Sequence, residues 1–327
     1  MIDRHSLKLL DLLADTRCHA IDELAATVEL APTAVAERLH VLRDQGVAME
    51  IEANYCRLPQ PVARLDAGTI RTVLSSPTRT LLADIRVFPA LDSTNGYLLQ
   101  LAERGEVDAV VCLAECQLAG RGRRGRHWTS PFAANLYLSL LWRFAPPPAA
   151  LSGLSLAVGV ATVRALESLG ADGVRLKWPN DLLWRERKLA GVLLESRFLG
   201  RTAMVVIGIG LNVAMPGSAR EGIDQPWVDL QEVMDGAAPS RNRLAAAILD
   251  QLVVVLPVMQ HEGLAPLLAD WQRLDGLRGR RVALQLPDGT QVAGVVAGID
   301  EQGALRLDTG QGEQRFAVGE VGMRRMA

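Results

Sequence analysis

The run Gly120-Arg121-Gly122-Arg123-Arg124-Gly125-Arg126, followed by His127-Trp128, packs three glycines and four arginines into seven residues. Glycine lets the backbone take conformations closed to other residues, and guanidinium groups offer forked donors that match phosphate or carboxylate oxygens. The chemistry open to such a loop is the gripping of an anion. Its letters also fit the dinucleotide fingerprint G-x-G-x-x-G, which needs a strand before it, a helix after it and an acid about 20 positions on. Residues 110–114 can supply the strand, but Trp128-Thr129-Ser130-Pro131-Phe132 cannot open the helix, and residues 140–150 contain no acid. That leaves an anion-binding loop, a solvated basic loop or an Arg/Gly contact to nucleic acid.

Trp128 is placed to stack on a base if the anion is a nucleotide; core packing is the other reading of a tryptophan. Farther on, Lys177-Trp178-Pro179-Asn180-Asp181 and Arg187-Lys188-Leu189-Ala190-Gly191 lie on either side of a polar turn. A lysine entering an apolar strand needs an anionic partner or must snorkel to solvent, and Lys177 and Lys188 both face that choice. Asp181 suits a Mg²⁺ ion bridging phosphates, a site that uses one or two carboxylates besides substrate oxygens; it also suits ordinary turn chemistry. The sequence contains no P-loop, G-x-S-x-G, H-E-x-x-H or Cys–His pairing. The residues alone outline a nucleotide or other polyanion site made by Arg and Lys, without covalent catalysis.

The elements that must hold these groups follow from periodicity. Residues 6–14 and 21–28 have apolar helical faces, and Pro32 opens a third helix that turns Val35, Leu39 and Leu42 inward and stops at Gly46. Segments 47–52 and 54–58 alternate as a hairpin, giving a winged helix-turn-helix over residues 1–62. DNA would meet its third helix at Thr33, Ala34, Arg38, His40 and Arg43. Residues 1–65 nevertheless carry seven Lys/Arg against ten Asp/Glu, so an unaided copy should hold DNA weakly. Residues 63–84, with Ser75-Ser76-Pro77, read as a linker. Over 85–275, strands at 85–88, up to 115, 135–141, two within 174–184, 189–198 and 204–209 alternate with helices at 93–104, 151–169, 241–262 and 264–275. Four short strands in 276–327 (281–286, 292–299, 304–307 and 315–318) suggest a small β-barrel. The chain is thus α+β, with a mixed α/β centre.

Composition sets outer bounds. A chain of 327 residues that is 49% hydrophobic can bury a sizeable core, and a formal charge of −2 argues against general polyanion binding. Four scattered cysteines indicate neither a zinc site nor a disulfide framework. No leader pattern and no apolar run of about 18 residues is evident, so the expected location is the cytoplasm, with no membrane partner.

Taken together and in order, Ser93-Thr94-Asn95, Gln117 with the arginine loop through Trp128, Lys177-Trp178-Pro179-Asn180-Asp181 and Arg187-Lys188-Leu189-Ala190-Gly191 resemble the motifs of biotin-protein ligases. With both flanking regions, the chain resembles the bacterial ligases that double as biotin operon repressors along nearly its whole length. The resemblance implies a biotin/lipoate ligase-type catalytic domain and an SH3-like barrel. It implies ATP and biotin as substrates, Mg²⁺ as cofactor, biotinyl-5′-AMP as intermediate, and a lysine of the biotin carboxyl carrier protein of acetyl-CoA carboxylase as acceptor.

By position it implies biotin contacts from Ser93, Thr94, Asn95, Gln117, Arg121, Gly122, Arg123 and Lys188. ATP or adenylate contacts would come from Arg121, Arg123, Arg126, Trp128, Lys177, Asn180 and Asn212. Catalysis would fall to Arg123, Lys188, Lys177 and Asp181, with Asp181 toward the metal or the acceptor lysine. A ligand-induced homodimer would bring two winged helices to operator DNA. The third helix begins Ala31-Pro32 where a Ser cap is usual in such repressors, and Leu118 stands where some relatives have a second Gln. The alternatives are a ligase with a vestigial DNA-binding domain, a non-catalytic biotin-sensing regulator and a lipoate-protein ligase.

Overall fold

A computed structural model describes residues 3–105, 109–145, 152–217 and 223–322. The N-terminal part contains α1 (Arg4–Leu12), β1 (His19–Ala20), α2 (Ile21–Val28), α3 (Pro32–Asp44), β2 (Glu50–Glu52) and β3 (Tyr55–Arg57). Asp3 caps α1 by accepting from the Ser6 N–H, whereas α3 starts at Ala31-Pro32 with no side-chain cap. Leu9, Leu13, Leu24, Val35, Leu39 and Leu42 form its buried centre. The hairpin expected after Gly46 is present, and β1, which is too short to leave a sequence signal, joins it in the order β1-β3-β2.

The expected linker is a correction. Residues 63–84 fold into two short helices, α4 (Ala67–Val73) and α5 (Ser76–Leu81), that pack on the long helix Arg241–His261. Asp66 caps α4 by accepting from the Thr69 N–H, Pro77 sits in the first turn of α5, and Ile70, Leu74 and Leu82 are buried. Loop-forming residues here serve as helix starts, where caps and first-turn prolines belong.

The central part then runs β4 (Asp84–Leu91), α6 (Thr94–Glu103), β5 (Val110–Gln117), β6 (Leu136–Phe144), α7 (Ser152–Ser168), β7 (Arg175–Lys177), β8 (Asp181–Trp184), β9 (Arg187–Leu199) and β10 (Thr202–Leu211). The first residue expected in α7, Leu151, lies outside the described residues. After β10 come α8 (Leu230–Val233), α9 (Arg241–His261) and α10 (Leu268–Leu274). One seven-stranded sheet has the order β4-β5-β6-β10-β9-β8-β7, with β4 and β5 parallel and the other pairs antiparallel. By length and composition α9 is apolar enough to cross a bilayer, a feature that its scattered Arg and Asp residues hide in the sequence; half of that stretch is buried inside the fold. Its apolar side packs on α7 and the sheet through Leu244, Ile248, Leu252 and Val255.

Alternation along the strands assigns the two sheet faces. Val111 and Leu113 of β5, Leu138 and Leu140 of β6, and Val205 and Ile207 of β10 belong to the core under α7 and α9. Val110 and Cys112, Leu141, and Met204 and Val206 turn to the opposite face and meet Leu98, Leu101 and Ala102 of α6. A second sheet, β14 (Glu313–Phe316), β13 (Leu305–Asp308), β12 (Gln291–Ile299), β11 (Arg281–Gln285) and β15 (Glu320–Gly322) in spatial order, completes the chain. Its last strand, β15, is only three residues long and was not expected.

One buried ion pair ties these parts together. Glu115 of β5 and Arg241 at the start of α9 approach to 2.7 Å with side chains 3% and 7% exposed. The other Glu115 oxygen accepts from the Leu65 N–H at 2.6 Å, and Arg241 donates to the carbonyls of Ala63 at 2.6 Å and Asn135 at 3.2 Å. The chain leaving the N-terminal part is therefore held by charges that water cannot replace. Removing one member of such a pair strands the other. Glu115→Leu should cost about 3–5 kcal/mol of stability, and adding Arg241→Met should recover most of that loss. Denaturant titration of the two variants checks this.

Candidate functional site

On the α6 face of the sheet the helix covers only half the strands. Met204 and Val206 of β10 lie under α6; the next two residues on that face are Gly208 and Gly210. A Cβ on Gly208 would lie 2.3 Å from Asn95 Oδ1, and one on Gly210 would lie 2.5 Å from the Trp128 ring. Glycine is required here by close approach, which the Gly-x-Gly spacing inside a strand signals. Register sets Ser139 and Leu193 beside Gly208, and Tyr137 and Gly191 beside Gly210. Five of these six residues, all but the buried Ser139, line a cavity of about 610 Å³.

The first turn of α6 forms one wall. Ser93 caps the helix by accepting from the Gly96 N–H. The Thr94 N–H donates to Gln117 Oε1 at 2.9 Å, and Gln117 Nε2 donates to Ser130 Oγ at 3.3 Å. Ser139 Oγ lies 2.6 Å from Asn95 Oδ1 and 2.7 Å from Thr94 Oγ1. The result is a small chamber lined by fixed donors and acceptors.

The other end of the cavity is cationic. Arg121, Arg123, Arg126, Lys177 and Lys188 all line it, along with Gly122, Trp128, Asn180 and Asp181. Arg123 donates to Asn180 Oδ1 at 3.2 Å, and Asn180 is oriented by its own donation to the Val192 carbonyl at 2.8 Å. Lys188 Nζ lies 2.7 Å from Asp181 Oδ1, at ion-pair distance but without hydrogen-bond alignment, and 5.4 Å from the centre of the Trp128 ring. Burial pushes the Lys177 amine below the ordinary lysine range, against the attraction of Asp181. Burial also lowers Arg123, whose guanidinium nonetheless keeps its charge.

A second cavity, of about 410 Å³, opens beside Arg126, Trp128, Lys188 and Asn212. Asn212 is buried and donates to the Val228 carbonyl at 3.1 Å. Trp128 borders both cavities, with its Nε1 buried and without a hydrogen-bond partner among the described residues. Thus every residue expected around the ligand lines one cavity or the other. Thr33, Ala34, Arg38, His40 and Arg43 lie apart on α3; Arg38 is held by Asp3 at 3.0 Å, and Arg43 pairs with His40 at 2.9 Å.

Several lining residues escaped sequence reasoning. Gln285, Gln291 and Glu320 reach the large cavity from the C-terminal sheet, and Arg126 donates to Glu320. Trp227 and Gln225 enter the second cavity because the 226–228 backbone pairs with Lys188. These contacts join distant segments and leave no local pattern. Glu195 was hidden in a strand, two residues beyond Leu193 on the same face.

Residues 87–212 match the biotin/lipoate A/B protein ligase family, and residues 278–324 match the biotin protein ligase C-terminal domain. The chain is 42% identical to a bifunctional ligase/repressor BirA of Salmonella typhimurium, over 97% of either chain. It is 39% identical to a biotin--[acetyl-CoA-carboxylase] ligase of Mycobacterium tuberculosis, over 70% of this chain and 85% of that one. Among solved structures, a biotin protein ligase of Aquifex aeolicus in complex with biotin and ATP superposes with a TM-score of 0.65 at 26% identity, covering 75% of this chain and 100% of that one.

The cavity floor supplies its own test. Gly208→Ala should cost about 1–3 kcal/mol because the new methyl group displaces Asn95. In an Asn95→Ala background the same change should cost far less, as a denaturation cycle would show.

Proposed function

The chain belongs to the biotin/lipoate A/B protein ligase family, and from that membership we propose that it is an ATP-dependent biotin-protein ligase. It forms biotinyl-5′-AMP and then biotinylates one lysine of the biotin carboxyl carrier protein of acetyl-CoA carboxylase. The observation that carries this reading is the join, in one cavity, of a small polar chamber with a cluster of five cations.

The chamber of Ser93, Thr94, Asn95 and Gln117 takes the biotin head group, whose polar ring needs matched donors and acceptors. Its carboxylate then lies toward Lys188, Arg121, Gly122 and Arg123. In the first step a carboxylate oxygen bonds to the α-phosphorus of ATP, the bond to the β-phosphate breaks, and pyrophosphate leaves. Carboxylate and triphosphate repel each other, so catalysis consists of alignment and charge neutralisation by Lys177, Lys188, Arg123 and Arg126. Trp128 packs against the adenine, beside Asn180 and Asn212. In the second step the acceptor amine, in its neutral form, attacks the acyl carbon, the bond to the phosphate oxygen breaks, AMP leaves, and the nitrogen gives up one proton to solvent. Asp181, 2.7 Å from Lys188, is positioned to meet the incoming ammonium.

Among the described residues no group of three or more His, Cys, Asp or Glu builds a metal cage. The carboxylate of Asp181 fits instead a magnesium ion carried by the phosphates, which often takes one or two protein carboxylates. When bound, the ion neutralises phosphate charge.

A repressor role has separate support: the relative named a bifunctional ligase/repressor matches 97% of this chain, while the one named only as a ligase matches 70%. We read the N-terminal helices and hairpin as a winged helix-turn-helix and the C-terminal sheet as an SH3-like barrel. With Arg38 engaged by Asp3, operator binding requires two copies, brought together as a homodimer when adenylate is bound. Adenylate should therefore shift sedimentation toward dimer; an unchanged monomer would remove this mechanism. A cytoplasmic location without membrane contact accords with the packing of the apolar side of α9 on α7 and the sheet.

Biotin should support exchange of labelled pyrophosphate into ATP, whereas lipoate and octanoate should not. Exchange with lipoate would assign the sister activity, and none with any acid would leave a regulator without catalysis. Lys188→Ala should lower exchange by about 100-fold or more, as removal of a charge that stabilises the transition state does. Arg123→Gly should still form adenylate but release it, giving indiscriminate lysine labelling; carrier-only labelling would refute that role. Because burial lowers the Lys177 pKa, its amine loses its proton before the ordinary 10.5 is reached. ATP affinity should fall on that alkaline side, and Lys177→Arg should move the fall to higher pH.

A further inference from the structure

Glu195 of β9 lies behind the cavity, with its side chain 24% exposed. One oxygen, Oε2, accepts from Asn95 Nδ2 at 2.9 Å and from Arg121 NH2 at 3.0 Å. It therefore bridges the first turn of α6 to the arginine loop, two elements with no covalent route between them shorter than β5. Asn95 Nδ2 also donates to the Leu193 carbonyl at 3.2 Å. Two acceptors converge on one amide atom, so that atom must be the NH₂ group, and the Asn95 oxygen is turned toward the Ser139 hydroxyl at 2.6 Å. Gly208 is the reason the side chain can lie flat in this position.

Two consequences follow. Both Asn95 donors are consumed by protein, so the chamber meets its ligand at this point with an acceptor. A ligand N–H fits here and a ligand carbonyl does not. Arg121, in contrast, is 42% exposed and would otherwise be a long side chain free to sample solvent. A charge-assisted bond to a partly buried carboxylate holds it over the chamber.

We propose that Glu195 is a positioning residue for the acid substrate: it fixes the polarity of Asn95 and anchors Arg121, so that the chamber wall and the covering loop act as one unit. This deepens the ligase reading by assigning the recognition of a ligand N–H donor, and it rests on that reading. The carboxylate touches no reacting atom, so its effect belongs in substrate affinity rather than in the chemical step.

The test is a double-mutant cycle on full-length protein, with biotin affinity read by calorimetry and kcat read from pyrophosphate exchange at saturating biotin. Glu195→Leu should weaken biotin binding about 10-fold, while kcat stays within about threefold and the thermal midpoint is unchanged. Combined with Arg121→Gln, the loss should fall short of the product of the two single losses by about threefold or more. An unchanged affinity, or losses that multiply to within threefold of that product, would overturn the proposal. Should Glu195→Leu fail to fold, Glu195→Gln, which keeps an acceptor but no charge, enters the same cycle with the same criterion. Wild-type protein that binds no biotin would overturn the ligase reading itself, whereas normal wild-type binding with independent losses overturns only the role of Glu195.

Discussion

Five cationic side chains, Arg121, Arg123, Arg126, Lys177 and Lys188, share one cleft, and their mutual repulsion must be balanced before any ligand arrives. Three carboxylates do this, each from a different part of the chain. Asp181 of β8 meets Lys188, Glu195 of β9 meets Arg121, and Glu320 of β15 meets Arg126. The Arg121 and Arg126 contacts are partly open to solvent and so are weaker than their geometry implies, whereas the Lys188–Asp181 pair is largely buried; each can be exchanged for a ligand oxygen. Among the described residues Lys177 has no dedicated carboxylate of this kind, and burial lowers its pKa. An anionic ligand relieves that cost, which gives the cleft its preference for several negative charges at once.

The sheet dictates where the cleft can lie. One face packs against α4, α7 and α9, while α6 covers the other only as far as Val206 of β10. Beyond that point glycines replace apolar residues, and the space they leave admits Asn95 and Trp128. Binding chamber and hydrophobic core are thus successive stretches of the same strands. The buried Glu115–Arg241 pair extends this economy to the N-terminal part, since Glu115 stands two residues before Gln117 of the chamber.

Much of this was legible in the sequence because the relevant signals are local. The arginine loop, the Ser93 cap and the two lysine motifs each declare themselves within a few residues, and the structure gathers all of them around one pair of cavities. The strands from β4 to β10 were recoverable from apolar runs. The readings that failed depend on distance along the chain. Residues 63–84 looked like a linker because Ser, Pro and Gly mark helix starts as well as loops, and only packing on α9 decides between them. Glu320 and Gln285 cannot be connected to Arg126 by any spacing rule, because a strand of three residues in a separate sheet delivers the carboxylate. Glu195 sits in an alternating strand, where an acid ordinarily means a solvated face.

The most direct test is a crystal structure of the chain with a non-hydrolysable analogue of biotinyl-5′-AMP. The account requires the bicyclic ring over Gly208 in the chamber of Ser93, Thr94, Asn95 and Gln117, the acyl-phosphate mimic between Lys188 and Arg123, and the adenine against Trp128. A ring lodged at the Trp128 end, or an analogue bound outside the cleft, would contradict it.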